Sequence, residues 1–420
     1  MTRTWALGLA LAGVLVTGCG TTNAAQPPLL MANGVAREAA PADAPVATTV
    51  DGLTRFGYDL YRQIAPPGAN VVVSPVCVGY AFALARAGAR GETAAQLDKV
   101  FGFPGERAHD ALNAISRALV TTDGPPGKRP KREPGTSLPP VVTLANGLFV
   151  QRDYTVGEPF LRTLAAKYGA GVRTVDFGKG DEATRAIDEW ARVQTADRIK
   201  KVFDNLDPAT RVVLANAVYF RADWTHSFPD HSDKGTFTRA DGSTVEATMM
   251  RQANAFRYAA APGWQAVELP YWRSDYAMWI IVPTGTAAPD ELLSPQTLDA
   301  VAGGLRPAGV DVTMPKWDFE TSTDLAAPLQ ALGLSAPFGP GADFSGIAPG
   351  LFIGQAMHAA NITVDEEGTE AAAVAAVAMP TSAPPLPEYV LRADRPFAFA
   401  IMHLPTGTPL FIGRVADPTR

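Results

Sequence analysis

The chain has 420 residues, 47% of them hydrophobic and 19% charged, with a formal net charge of −6 and a mean hydropathy of +0.02. This composition supplies ample core material and excludes a disordered polymer. The acidic balance argues against nucleic acid as a main partner.

In chain order, the first 19 residues carry Arg3, an apolar run from Trp5 to Val16, and then Val16-Thr17-Gly18-Cys19. The run is too short to cross a bilayer and reads as a signal sequence. Its ending resembles the lipobox of bacterial lipoproteins, which implies that Cys19 is lipidated and becomes the mature N-terminus, on the outer side of a bacterial membrane. The other reading is ordinary secretion after cleavage at a nearby small residue. Cys77 alone would remain in the mature domain, so no internal disulfide can form. Residues 20–48 lack helical or strand periodicity and read as a flexible tether with a reach of about 30 Å.

No linker divides residues 49–420, which read as one large domain. Small apolar residues over 77–87 fit a buried helix. Thr93 and Gln96 have capping-box spacing ahead of Leu97 and Val100, with Gly102 as the stop. Residues 121–140 form an irregular Gly/Pro-rich segment carrying Lys128, Arg129, Lys131 and Arg132. Ile187, Trp190, Ile199 and Phe203 mark an amphipathic helix over 181–203, broken near Thr195. Val212–Phe220 and Tyr276–Val282 read as buried strands. Long helices and strands without βαβ alternation indicate an α+β domain.

Near the C-terminus stands Glu366-Glu367-Gly368-Thr369-Glu370-Ala371-Ala372-Ala373, continued by Val374 to Ala378. On composition alone this run reads as a helix. In the wider sequence it follows Asn70 to Cys77, Gly88 to Leu97, Ala145 to Gln151, Val175-Asp176-Phe177, Leu214 to Trp224, Met249-Met250 and Ala342 to Ile347. It precedes Arg395-Pro396-Phe397 and Pro409 to Arg414. In that order and spacing these pieces resemble the serpin family over nearly all of the chain after about residue 50.

The resemblance implies the serpin fold, with three β-sheets, about nine helices and an exposed reactive loop over about 366–393. It makes Glu366, Glu367, Gly368, Thr369, Glu370, Ala371, Ala372 and Ala373 the hinge of that loop. Ser74, Asn216 and His358 become a gate where the main sheet opens, and Trp224 lies where the loop first enters it. If 369–378 becomes a strand in a formed sheet, alternate side chains must enter a packed core. Thr369, Ala371, Ala373, Ala375 and Val377 on one face are small enough, while Glu370 on the other can stay in water. Cys77, Ala222 and Ala359 stand where the family usually has serine, glycine and lysine.

The bait lies at Thr381, Ser382 and Ala383. Two counts stay open, cleavage at Ser382-Ala383 being slightly preferred to Thr381-Ser382. Small side chains there, and no Arg or Lys between Gly368 and Leu391, suit elastase-like or subtilisin-like proteases rather than trypsin-like ones.

The implied function is irreversible inhibition of serine proteases by a monomer. It needs no cofactor and no catalytic residue of its own. A non-inhibitory surface binding or adhesion module is the alternative; the small side chains at the entering positions argue against it, because non-inhibitory serpins often carry bulky or charged hinge residues. The basic residues 128, 129, 131 and 132 could meet a polyanion, although a charge run in a loop is more often only solvated. No enzyme motif is present. His226 and His231 with Asp223, Asp230 and Asp233 match no tight metal spacing and read as a solvated loop. Asn361-Ile362-Thr363 is a glycosylation sequon inside an expected strand.

Overall fold

A computed structural model describes residues 26–127, 130, 136–229, 232–285, 287–370 and 387–420. The elements run β1 (Leu29–Leu30), α1 (Val46–Ile64), β2 (Val71–Val73), α2 (Pro75–Arg86), α3 (Gly91–Phe101), α4 (Ala108–Leu119), β3 (Val141–Gln151), α5 (Glu158–Thr163) and β4 (Val172–Val175). They continue with α6 (Gly180–Gln194), β5 (Val212–Asp223), β6 (Asp233–Thr238), β7 (Thr244–Ala261), β8 (Trp264–Pro270), β9 (Tyr276–Pro283) and α7 (Pro295–Gly304). The last are β10 (Arg306–Pro315), β11 (Trp317–Asp324), α8 (Ala326–Ala331), β12 (Gln355–Val364), β13 (Gly368–Thr369), β14 (Tyr389–Arg392), β15 (Phe397–His403) and β16 (Thr408–Val415).

The described strands form two sheets. One has the order β1-β4-β3-β5-β13-β12-β11; the other runs β14-β10-β7-β8-β9-β15-β16-β2, with β6 also on β7. The expected second and third sheets merge because β7 is one strand of 18 residues. Its first part pairs with β6 and β10 and its last residues with β8.

The seven-stranded sheet is covered on both faces, which explains why β5 is buried at every position and shows no alternation. Leu214 and Val218 enter the main core. Val213, Ala215 and Ala217 face the other way, into a smaller cluster with Phe149, Ile187, Trp190, Ile199 and Phe203. Helix α2 is wholly buried, and Ser74 caps it by accepting the Cys77 N–H at 3.3 Å, with Pro75 opening the first turn. Helix α6 ends at Gln194, with Thr195 as its C-cap, because Ala196 and Asp197 adopt left-handed backbone; the expected break is there, but the helix expected to continue to residue 203 is not, since residues 196–203 are turns and irregular chain.

Two further local expectations fail. Helix α3 starts at Gly91, ahead of Thr93, and has no side-chain cap. The Thr93 hydroxyl instead accepts the Asp343 N–H, and Gln96 Oε1 accepts those of Ser335 and Ala336. Only the stop at Gly102, with φ of 66°, is as expected.

The tether reading fails from Gln26 onward, and helix α1 begins at Val46, inside the stretch read as tether. Leu29 and Leu30 pair with Arg173 and Val172, and Lys167 pairs with Glu38 at 2.7 Å. Arg37 donates to Asn113 Oδ1 at 3.0 Å and to Ser116 Oγ at 2.6 Å. Side chains hold this irregular segment where backbone periodicity predicts nothing. Arg37→Ala would leave acceptors on the buried Asn113 and Ser116 unmet, at about 1–3 kcal/mol. The expected outcome is a lower denaturant midpoint with an unchanged m-value, read by urea unfolding.

Candidate functional site

The site is built on the shared edge of β5 and β12. The two run parallel from Val213↔Gln355 to Ala217↔Ala359. Above that, among the described residues, no ladder joins them until β13 enters between them, with Gly368 opposite Asp223 and Thr369 opposite both Ala222 and Val364. The slot below β13 is lined by Val218, Tyr219, Phe220, Asn361, Thr363 and Arg198, among others.

The closed part of this edge holds the gate. His358 is in register with Asn216. Its Nε2 accepts the Ser74 backbone N–H at 3.1 Å, and its Nδ1 lies 2.5 Å from Asn216 Oδ1. A backbone N–H can only donate, so the ring is neutral with its proton on Nδ1, donating to Asn216. Burial pushes the imidazole down to about 4. Asn216 lies opposite Asn146, and the Nδ2 groups of both are buried without a protein partner. Cys77 Sγ donates toward Ala217 O at 3.4 Å, and burial pushes its thiol up. Ala359, where the family usually has lysine, is buried in the cluster beneath α6, so no charge has to be accommodated there.

The hinge is held at the open end. Trp224 Nε1 donates to Asp365 O at 3.0 Å and its N–H to Glu367 O at 2.8 Å. The indole stacks on Tyr271 at 4.5 Å, whose hydroxyl lies 2.6 Å from Thr369 Oγ1. Asp365 Oδ1 accepts the N–H groups of Glu367 and Gly368. A Cβ at Gly368 would stand 2.1 Å from Ala222 O, so only glycine fits this close approach. Glu366 is buried, paired with Lys316 at 2.5 Å and bonded by Ser232.

The expectation that Glu370 stays in water is corrected. Its carboxylate is largely buried and pairs with Arg198 at 2.9 Å. Its φ of 53° turns the chain out of the strand path, a conformation costing about 1–3 kcal/mol in a non-glycine residue. Asp223, read as part of a solvated loop, is buried at the end of β5 and accepts the Leu138 N–H at 2.6 Å. Asn361 lies in β12, as expected.

The structure therefore brings together Ser74, Asn216 and His358, and separately Trp224 with Glu366 to Glu370. Ala371, Ala372, Ala373, Thr381, Ser382, Ala383, Cys19, Lys128, Arg129, Lys131, Arg132, Asp230 and His231 lie outside the described residues. Sequence reasoning missed Asn146, Arg198, Tyr271, Lys316 and Asp365. Only Asp365, adjoining the hinge motif, carried a signal.

The site carries two pH dependences. His358 titrates near 6.5 when unfolded and near 4 when folded. The stability it supports is present above about pH 6.5 and is lost as pH falls toward 4. Over that range the wild type should lose on the order of 3 kcal/mol that His358→Gln does not, read by urea unfolding against pH. Asp365 has the opposite sign, because burial first, and then Glu367 and Glu366, push its carboxyl up to about 6. Its ionisation opposes the fold increasingly as pH rises from about 4, the unfolded value, and fully above about 6. Asp365→Asn, which keeps an acceptor for the two N–H groups, should melt above the wild type at about pH 8, the gap narrowing below about pH 6 and closing by about pH 4.

Residues 51–418 match the family described as Serpin (serine protease inhibitor). An uncharacterized serpin-like protein of Thermococcus kodakarensis is 35% identical over 88% of this chain and 85% of its own. The leukocyte elastase inhibitor of Sus scrofa is 33% identical over 87% and 98%. Among solved structures, native tengpin, a thermophilic serpin, is similar with a TM-score of 0.80 at 24% identity, covering 94% of this chain and all of its own. Native protease nexin-1 with heparin gives 0.74 at 29% identity over 89% and 100%, and thyroxine-binding globulin with thyroxine 0.77 at 25% over 88% and 99%. With its sheet, hinge and matching extent, the chain belongs to the serpin family, whose members are mostly protease inhibitors rather than enzymes.

Proposed function

We propose that the protein is a suicide-substrate inhibitor of serine endopeptidases, tethered by a lipid on Cys19 to the outer side of a bacterial membrane. The observation that carries this reading is β13, two residues seated between β5 and β12 above an unladdered slot. A protease attacks the loop at Ser382-Ala383 or Thr381-Ser382 and forms an acyl-enzyme. The released segment then continues β13 as a full strand and carries the protease with it before deacylation. About ten residues gaining hydrogen bonds on both edges, at about 1 kcal/mol net each, supply a driving force on the order of 10 kcal/mol. That is comparable to the ~5–15 kcal/mol holding a protease folded.

Small residues around the bait favour elastase-like or subtilisin-like targets. Lys128, Arg129, Lys131 and Arg132 are the proposed contact for a sulfated polyanion, in line with the heparin in the similar protease nexin-1 structure. A binding module without inhibition is the competing reading, since thyroxine-binding globulin has a similar fold. The small hinge side chains weigh against it.

The test is to mix the purified protein with trypsin, elastase and subtilisin and to look for SDS-resistant complexes. Complexes with elastase or subtilisin are expected; none with any protease would favour the binding module. In Thr369→Arg a guanidinium would have to occupy a position now 3% exposed, at a cost of several kcal/mol. Insertion should then lose to deacylation, leaving cleaved inhibitor and free protease on the same gel.

A further inference from the structure

Leu29, Leu30 and Met31 are 47%, 37% and 40% exposed, three consecutive large apolar side chains, the first two forming the outermost strand of the seven-stranded sheet and the third directly after it. They are not on a loose tail. Leu29 and Leu30 are in ladder register with Arg173 and Val172, and Arg173 Nη1 donates to Pro27 O at 3.0 Å. A Cβ on Gly171 would stand 2.1 Å from Leu30 O, so the backbones are in close contact. Among the described residues nothing pairs with the outer edge of β1.

Two features of the sequence say what meets this edge. No charged residue occurs between Cys19 and Arg37, in a chain that is 19% charged. Only residues 20–25 separate Cys19 from Gln26, and six residues reach at most about 20 Å. We propose that the edge carrying Leu29, Leu30 and Met31 lies against the lipid bilayer, its side chains in the headgroup and upper acyl region. This rests on the reading of Cys19 as the lipid anchor. An apolar, uncharged surface held this close to an anchor is suited to interfacial burial, at a depth of about 5–10 Å. There the open edge of β1 still finds hydrogen-bonding headgroups and water, which the hydrocarbon core would deny it.

The contact orients the molecule. Leu29 is level with Arg173, Phe149 and Val213, whereas the hinge enters beside Ala222. Those levels are nine residues apart along β5 (222 − 213), or about 30 Å. The bilayer therefore meets the end of the sheet remote from the hinge, and the loop is presented away from the membrane. A strand growing from Thr369 along β5 would run back toward the bilayer.

The test uses the full lipidated chain in vesicles of phosphatidylethanolamine and phosphatidylglycerol. Cys77 is fully buried and the Cys19 thiol is consumed by lipid, so Met31→Cys accepts an environment-sensitive fluorophore selectively. Leu404→Cys is the control; Leu404 is 39% exposed and its N–H bonds to Asp275 O in the other sheet's turns. Co-flotation with vesicles is scored first. The expected result is a blue shift and about a twofold loss of emission in vesicles with brominated acyl chains at position 31, with neither at 404. Protein that floats but shows no quenching at 31 overturns the inference while the anchor reading stands. Protein that does not float overturns both. If soluble Cys19→Ala protein already shows the blue shift at 31 without vesicles, residues 1–25 or a second copy cover the edge, and the bilayer contact is refuted.

Discussion

The inner edges of β5 and β12 are the constraint on which the rest of the molecule depends. Each carries backbone donors and acceptors that a sheet must satisfy, and along its length that edge has two solutions. From Val213 to Ala217 the strands take each other as parallel partners. At Ala222 and Asp223 they part to admit β13 between them. The segment between is committed to neither. Once that segment is used, one ladder can lengthen only as the other shortens, so the pair is a switch between a closed sheet and a sheet with a new strand inside it.

Charge explains how the hinge waits at this junction. Asp365, Glu366, Glu367 and Glu370 lie close together in the chain, and the two glutamates at 366 and 367 are buried. Such groups are tolerated only when paired, and each named contact comes from a distant element. Lys316 opens the approach to β11, Arg198 follows the end of α6, and Trp224 receives the turn through its indole and backbone N–H. The hinge is fixed by convergence of several elements, so a strained φ at Glu370 can persist there.

This convergence also marks what the sequence could reveal. Helix α2 and strands β5 and β9 are buried on all sides, so their dense apolar runs were legible. The hinge motif and the triad of Ser74, Asn216 and His358 were legible through a resemblance carried by many short pieces in order. Arg198, Tyr271 and Lys316 were not, because each acts on a residue far away in sequence and no local pattern records such a pairing. Thr93 and Gln96 misled for a related reason: their side chains have a local use at a helix start, but here they hold a distant loop. Residues 26–45 misled because a lack of periodicity excludes regular structure, whereas the ion pair of Glu38 and the hydrogen bonds of Arg37 need none.

The gate is the polar counterpart of the open slot. On the neighbouring β3–β5 ladder Asn146 and Asn216 lie opposite each other with both Nδ2 groups buried without a protein partner, and an unmet buried donor costs about 1–3 kcal/mol. His358 offsets part of that by satisfying Ser74 N–H and Asn216 Oδ1 together, but as a neutral ring it has one proton to give. Where the family usually has serine and lysine, Cys77 and Ala359 bring a weak donor and no donor. The closed sheet is thus held by packing and by one imidazole, with polar groups left in deficit on its inner face. Parting β5 from β12 separates Asn216 from His358 and leaves the β3–β5 pairing of the two asparagines as it was, so the imidazole's bond to Asn216 is the polar interaction that insertion of a new strand has to break.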